Sequence, residues 1–271
     1  SANKVFPDFK ELHYHAASLL IAFEKIMDFS YSVAGFFVGA VVGLTGVGGG
    51  SLMTPLLVLL FGVHPATAVG TDLLYAAITK SGGSIVHARK GSVDWHIVGL
   101  LAAGSVTAAI LTLTLVHHFA PGGLGGATRL ISAALGVALL LTAVSLIFRR
   151  HLQAFALTHF PVEPNPRRTA ILTVIVGLLL GVLVSISSVG AGALGVTALF
   201  FLYPKLPVIR IVGSDLAHAV PLTLVAGLGH WWYGSIDWTL LGALLVGSLP
   251  GIYLGSHLAT RIPDRILRPT L

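Results

Sequence analysis

The chain has 271 residues, of which 55% are hydrophobic and only 10% charged, where soluble domains average roughly 25% charged. The net charge of +6 comes from 16 Lys and Arg against 10 Asp and Glu, and the basic residues cluster at the ends of long apolar tracts, which reports membrane topology and argues against nucleic-acid binding. There is no Cys and the 12 His show no metal-binding spacing, so no disulfide, thiolate site, metal or cofactor is expected, nor an enzyme built on a cysteine nucleophile.

The chain begins Ser1-Ala2-Asn3 without a Met, as a trimmed sequence would, and no cleavable signal peptide is evident. Residues 1–30 read as an interfacial amphipathic helix or the lead-in to a first span. An uncharged tract from Tyr31 to Val63 follows, and it contains TGVGGGSLMTP, Thr45 to Pro55. Four glycines in this run disfavour a helix interior, while Ser51, Thr54 and Pro55 suit a helix start. The tract therefore reads as an apolar helix that breaks at the glycines and restarts near Ser51. Bare backbone at membrane depth is tolerated where it is buried or lines a cavity, and a helix start there presents N–H groups to an anion. The alternative is that the glycines serve only tight helix packing. A second interrupted segment, SSVGAGALG from Ser187 to Gly195, lies in another uncharged tract, Thr169 to Pro204. Paired interruptions in corresponding halves point to a transporter binding site.

Between and after these segments, helices are expected at about 67–88, 96–118, 129–148, 210–230 and 238–260. The polar stretch 149–168, with Pro161, Pro164 and Pro166, reads as a linker. The organisation is then a lead-in (1–30), a first repeat (31–118), a connecting helix and linker (119–168), a second repeat (169–260) and an Arg-bearing tail (261–271). The repeats share residues at a fixed offset. Gly70, Leu73, His87, Gly91, Ser92, Asp94 and Trp95 correspond to Gly213, Leu216, His230, Gly234, Ser235, Asp237 and Trp238. Chance likeness between apolar helices would not align Gly-Ser-x-Asp-Trp twice. Basic residues are cytoplasmic by preference. Placing Arg89 and Lys90 inside leaves the aromatic loop Trp231–Trp232–Tyr233 outside and the C-terminal tail inside, which makes the repeats inverted. The fold class expected is an all-α polytopic membrane protein of two inverted repeats, each with a broken or re-entrant helix, and about 7–9 membrane passes.

Asp72, Lys80 and Asp215 stand out as charges inside spans, where charge is costly and suggests function. Asp72 shares a helix face with Tyr75, as Asp215 does with His218. These five residues are candidates for ion coupling. Gly70-Thr71-Asp72 and Gly213-Ser214-Asp215 also have the composition of helix N-caps, and the two readings stand together. His87 and His230 read as interface anchors, and Asp94-Trp95 and Asp237-Trp238 as cap-plus-anchor pairs.

The run GLTGVGGGSLMTPLL (Gly43 to Leu57), the Gly70-Thr71 turn and HARKGSVDW (His87 to Trp95) resemble the TauE/SafE-type sulfite exporters, also called toluene sulfonate uptake permeases. The resemblance covers about 31–260. It implies a secondary transporter in a bacterial or archaeal inner membrane. The substrate would be sulfite, thiosulfate or an organosulfonate such as sulfoacetate, with export and ion coupling. Carried over, the substrate-binding residues would be Thr45, Gly46, Gly48, Gly49, Gly50 and Ser51 with Ser187, Ser188, Gly190 and Gly192. Ala191 and Ala193 interrupt the second glycine run. A passive anion channel on the same scaffold is the alternative, and the partners expected are the anion and the lipid bilayer.

Overall fold

The computed structural model describes residues 29–42, 52–120, 122–148, 151, 152, 155 and 165–259. Among these the protein is helical, with no strand. The elements are α1 (Phe29–Val42), α2 (Met53–Leu59), α3 (Pro65–Arg89), α4 (Trp95–Phe119), the single turn α5 (Gly123–Gly126), α6 (Thr128–Ile147), α7 (Pro166–Ser187), α8 (Ala193–Leu202), α9 (Val208–Trp232) and α10 (Trp238–Ala259). Five of them, α4, α6, α7, α9 and most of α10, are long and apolar enough to cross a bilayer. α3 is as long as α4 and α9, at 25 residues, and carries Asp72 and Lys80 within its run, as α9 carries Asp215. This is a polytopic helical membrane protein.

Both interrupted segments are re-entrant. After the second interruption α8 doubles back along α7, so that Tyr203, just past α8, hydrogen-bonds Thr173 near the start of α7 at 2.8 Å. The first segment closes in the same way: Phe61, just past α2, packs on Tyr31 near the start of α1, with ring centroids 4.9 Å apart. Tyr31 and Phe61 are the repeat counterparts of Thr173 and Tyr203.

The equivalent helices α3 and α9 pack against each other in opposite directions. Gly70 faces His230 and Ser235, Leu74 faces Gly227, Gly83 faces Leu216, and Gly213 faces His87 and Ser92. Equivalent helices that run antiparallel are what an inverted duplication requires. The outer pairs are exchanged between halves. α7 runs parallel to α4, with Gly177 on the Leu101 carbonyl and Gly181 on that of Ser105; α1 runs parallel to α10, with Gly35 on Leu244 and Gly39 on Ser248. These contacts superimpose under the repeat offset. The first helix of each half thus packs on the last helix of the other.

Two hydrogen bonds lock the centre. The hydroxyl of Ser214 accepts from the Asp94 backbone N–H at 2.8 Å, and that of Thr71 accepts from the Asp237 N–H at 3.2 Å. This overturns the N-cap reading of Gly-Thr-Asp and Gly-Ser-Asp. Both triplets lie inside their helices, which begin at Pro65 and Val208, and their hydroxyls hold the loop of the opposite half. Pro65 occupies the first turn, where its fixed φ and missing N–H cost nothing. The cap half of the Asp-Trp reading holds. Asp94 caps α4 by accepting from His96 and Ile97 N–H, Asp237 accepts from Leu240 N–H at 2.9 Å, and Trp95 and Trp238 are exposed. His230, however, is fully buried, with Nε2 2.9 Å from the Ser185 carbonyl. The antiparallel crossing carries it beneath α7, so it is a core residue and not an exposed anchor.

Candidate functional site at the helix breaks

The second interruption is a built turn. α7 is capped at its C-terminus by Ser188, which adopts a left-handed backbone (φ 58°), and Gly190 and Gly192 follow at φ 122° and 124°. That region is open to glycine and costly for other residues. The register with α4 fixes the depth. Gly181 lies level with Ser105, so Ser188 falls near residue 112, seven residues short of the end of α4 at Phe119. At 1.5 Å per residue that is about 10 Å inside the helix end. Ser187, Ser188, Val189, Gly190 and Ala191 are all buried. The oxygen of Ser187 accepts from the Val189 N–H at 3.2 Å, while the hydroxyl of Ser188 has no hydrogen-bond partner.

Ser188 lies beside the Asp72 carboxylate of α3. Asp72 also accepts from the hydroxyl of Thr54, in the first turn of α2, at 2.5 Å. The start of the first re-entrant helix and the tip of the second therefore meet at one buried carboxylate. Of the expected substrate-binding residues, Thr45, Gly46, Gly48, Gly49, Gly50 and Ser51 lie outside the described residues. Thr54 was expected as a possible cap for α2; it makes no cap hydrogen bond and is turned to Asp72 instead.

Lys80 and Asp215 complete the cluster. Lys80 is 4% exposed and donates to the Ala191 carbonyl in the second break at 3.2 Å. It lies within Coulombic reach of Asp215 and Asp72, with no ion pair to either. Asp215 is 2% exposed and sits against the bare backbone of Gly195 in α8, where a Cβ would collide with Oδ1. Neither Asp72 Oδ1 nor Asp215 Oδ1 has a hydrogen-bond partner. His218 is buried and bonds Ser105 on α4 at 2.8 Å, so its polar contact is a hydroxyl of the neighbouring helix. The repeat counterparts of that pair are Tyr75 and Ser248, which also face each other, and the Tyr75 hydroxyl has no hydrogen bond. Among the described residues no group of three or more His, Asp or Glu is placed to hold a metal.

Two site neighbours are not evident from the repeat pattern. Thr142 and Ser145 belong to the connecting helix α6. Ser145 bonds the Ala193 carbonyl at 3.3 Å and the Thr197 hydroxyl at 2.5 Å, and Thr142 Oγ1 is buried and unpartnered. Their three-residue spacing in the otherwise apolar second half of the helix is the available signal.

Residues 31–271 match the family described as Sulfite exporter TauE/SafE. The chain belongs to the TauE/SafE family. This TauE/SafE protein is 40% identical over 243 residues to the Probable membrane transporter protein YjnA of Bacillus subtilis, covering 89% of this chain and 94% of that one. It is 32% identical over 229 residues to a probable membrane transporter protein of Xylella fastidiosa, covering 84% and 83%. A probable membrane transporter protein of Methanocaldococcus jannaschii is 25% identical over 246 residues, covering 86% and 85%. No solved structure matches. The TauE/SafE protein is accordingly a multi-pass membrane transporter, and its relatives are named as transporters and not as enzymes.

Proposed function

We propose that the protein is a secondary transporter that moves a small sulfur-containing anion, namely sulfite, thiosulfate or an organosulfonate such as sulfoacetate, out of the cell across the inner membrane, coupled to protons. The C-terminal tail would face the cytoplasm. The observation that carries this reading is the meeting of both re-entrant segments at Asp72, with Lys80 bonded to the second break. A pair of interrupted helices, one per inverted repeat, brings backbone donors and hydroxyls to the middle of the membrane. The lysine adds the positive charge an anion needs there. The substrate would lie between the glycine run at 45–51 and Ser187, Ser188, Gly190 and Gly192, with Asp72, Tyr75, Lys80, Asp215 and His218 close enough to exchange protons.

The test is uptake of radiolabelled sulfite and sulfonates by proteoliposomes containing the purified protein. Gly190→Val is expected to abolish flux while the protein stays monodisperse and helical, because a β-branched residue at φ 122° distorts the turn. Normal flux in that variant removes the site. Accumulation against a gradient when a proton gradient is imposed supports the transporter; equilibration alone, indifferent to pH, supports a passive channel on the same scaffold.

A further inference from the structure

Among the described residues, the charged side chains buried in the core number three: Asp72, Lys80 and Asp215. The glycine stretch at 43–51 adds none, since it holds no ionisable residue. The other buried titratable groups are Tyr75 on α3 and His218 and His230 on α9; each histidine bonds a neutral partner through Nε2, Ser105 and the Ser185 carbonyl, and keeps Nδ1 buried without a partner, so neither adds a fixed charge. Only one ammonium therefore stands against two carboxylates. Lys80 spends one N–H on the Ala191 carbonyl. Within Coulombic reach of it are Asp72 and Asp215, each with Oδ1 buried without a hydrogen bond, and the Ser188 hydroxyl lies beside Asp72.

We infer that this cluster is a charge-balancing site that admits one negative charge at a time and takes up one proton with it. The inference rests on the transporter reading above and narrows it to monoanions. A buried uncompensated charge costs several kcal/mol, so each state of the pocket stays close to neutral. Empty, the site holds protonated Lys80, one carboxylate and one carboxylic acid. When a monoanion arrives, Lys80 turns to it and the remaining carboxylate is left without a counter-charge. A proton from water on the same side of the membrane forms an O–H bond with that carboxylate, and the pocket is again neutral. The helix ends at the break do not alter the count, because the C-terminus of α7 and the N-terminus of α8 meet there with opposite partial charges. A dianion leaves a net charge of minus one even with both acids protonated. Of the anions named above, the substrates selected are hydrogensulfite and singly charged sulfonates; thiosulfate and doubly ionised sulfonates, fully ionised sulfoacetate among them, are excluded.

The test uses the full chain in proteoliposomes with two permanently charged probes, methanesulfonate as monoanion and thiosulfate as dianion. Methanesulfonate uptake is expected to exceed thiosulfate uptake at least about a hundredfold. An inward proton gradient should drive it, and a potassium–valinomycin potential should not, because anion and proton cross together. Asp72→Asn and Asp215→Asn should each keep the response to pH, since one carboxylate remains. The double variant should lose that response and become sensitive to membrane potential. Lys80→Gln should lose flux and Lys80→Arg should keep part of it. Equal handling of the two probes, or methanesulfonate uptake driven by potential in the unaltered protein, overturns the charge balance and leaves the transporter standing. Folded protein that moves no sulfur anion at all overturns both.

Discussion

Gly70 is one of the points where the two halves meet backbone to backbone, and adding a single methyl group there tests the architecture. A Cβ on Gly70 would lie 2.9 Å from the Cβ of His230 and nearer still to the Ser235 carbonyl oxygen, where ordinary contact starts near 3.4 Å. Neither neighbour can step aside cheaply. One is backbone, and the other belongs to a fully buried side chain fixed on Ser185. Gly70→Ala must therefore push α3 and the Tyr233–Asp237 loop apart by at least half an ångström. Overpacking of this kind costs about 1–3 kcal/mol. The adjoining bond from Asp237 N–H to Thr71, already 3.2 Å long, would be lost at a further ~1 kcal/mol. The favourable change in helix propensity from Gly to Ala, up to about 1 kcal/mol, offsets part of this. It can be removed by comparison with Gly82→Ala on the same helix, where nothing stands within 4 Å of the new methyl. The difference in unfolding free energy between the two variants, measured by thermal or denaturant melting in one detergent, is expected to be about 2–4 kcal/mol. Equal stability of the two variants would show that α3 and α9 do not cross as described.

Ser214→Ala removes the acceptor for the Asp94 N–H and should cost about 1 kcal/mol in the same assay; no change there would mean the hydroxyl does not hold the loop. Gly195→Ala places a methyl on Asp215 Oδ1. Because the yielding partner is a side-chain end, stability should change little while anion flux falls at least about tenfold, and full flux would remove Asp215 from the pathway. Arg210→Gln breaks the 3.4 Å pair with Asp94, whose partners are 42% and 26% exposed. The loss should be at most about 1 kcal/mol and should shrink as salt is raised; a larger, salt-independent loss would mean that this pair is not solvent-screened.

Much of the scaffold is legible in the sequence because glycine and hydropathy carry it. The boundaries of α3, α4, α6, α9 and α10 fall within two residues of those expected, and the broken second segment is visible in its glycines alone. The Gly-Thr-Asp and Gly-Ser-Asp triplets are misleading because cap composition and close-packing composition coincide. A small residue followed by a hydroxyl and a carboxylate satisfies either role, and Pro65 at N1 was the feature that placed α3's start earlier. The burial of His230 follows from the antiparallel crossing, which no local pattern records. Asp72 and Lys80 are recognisable as costly intramembrane charges. Their partners, Thr54 and the Ala191 carbonyl, are supplied by segments 18 and 111 residues away, contacts that only the folded chain displays.

The exchange of outer helices bears on how such a machine could move. Because α1 is seated on α10 and α7 on α4, glycine backbone against carbonyl, a body that rocks as a unit must draw helices from both ends of the polypeptide. A cut in the 149–164 connection would yield two fragments, each holding an arm that belongs in its sibling's grip, and neither could close around the anion's path without the other.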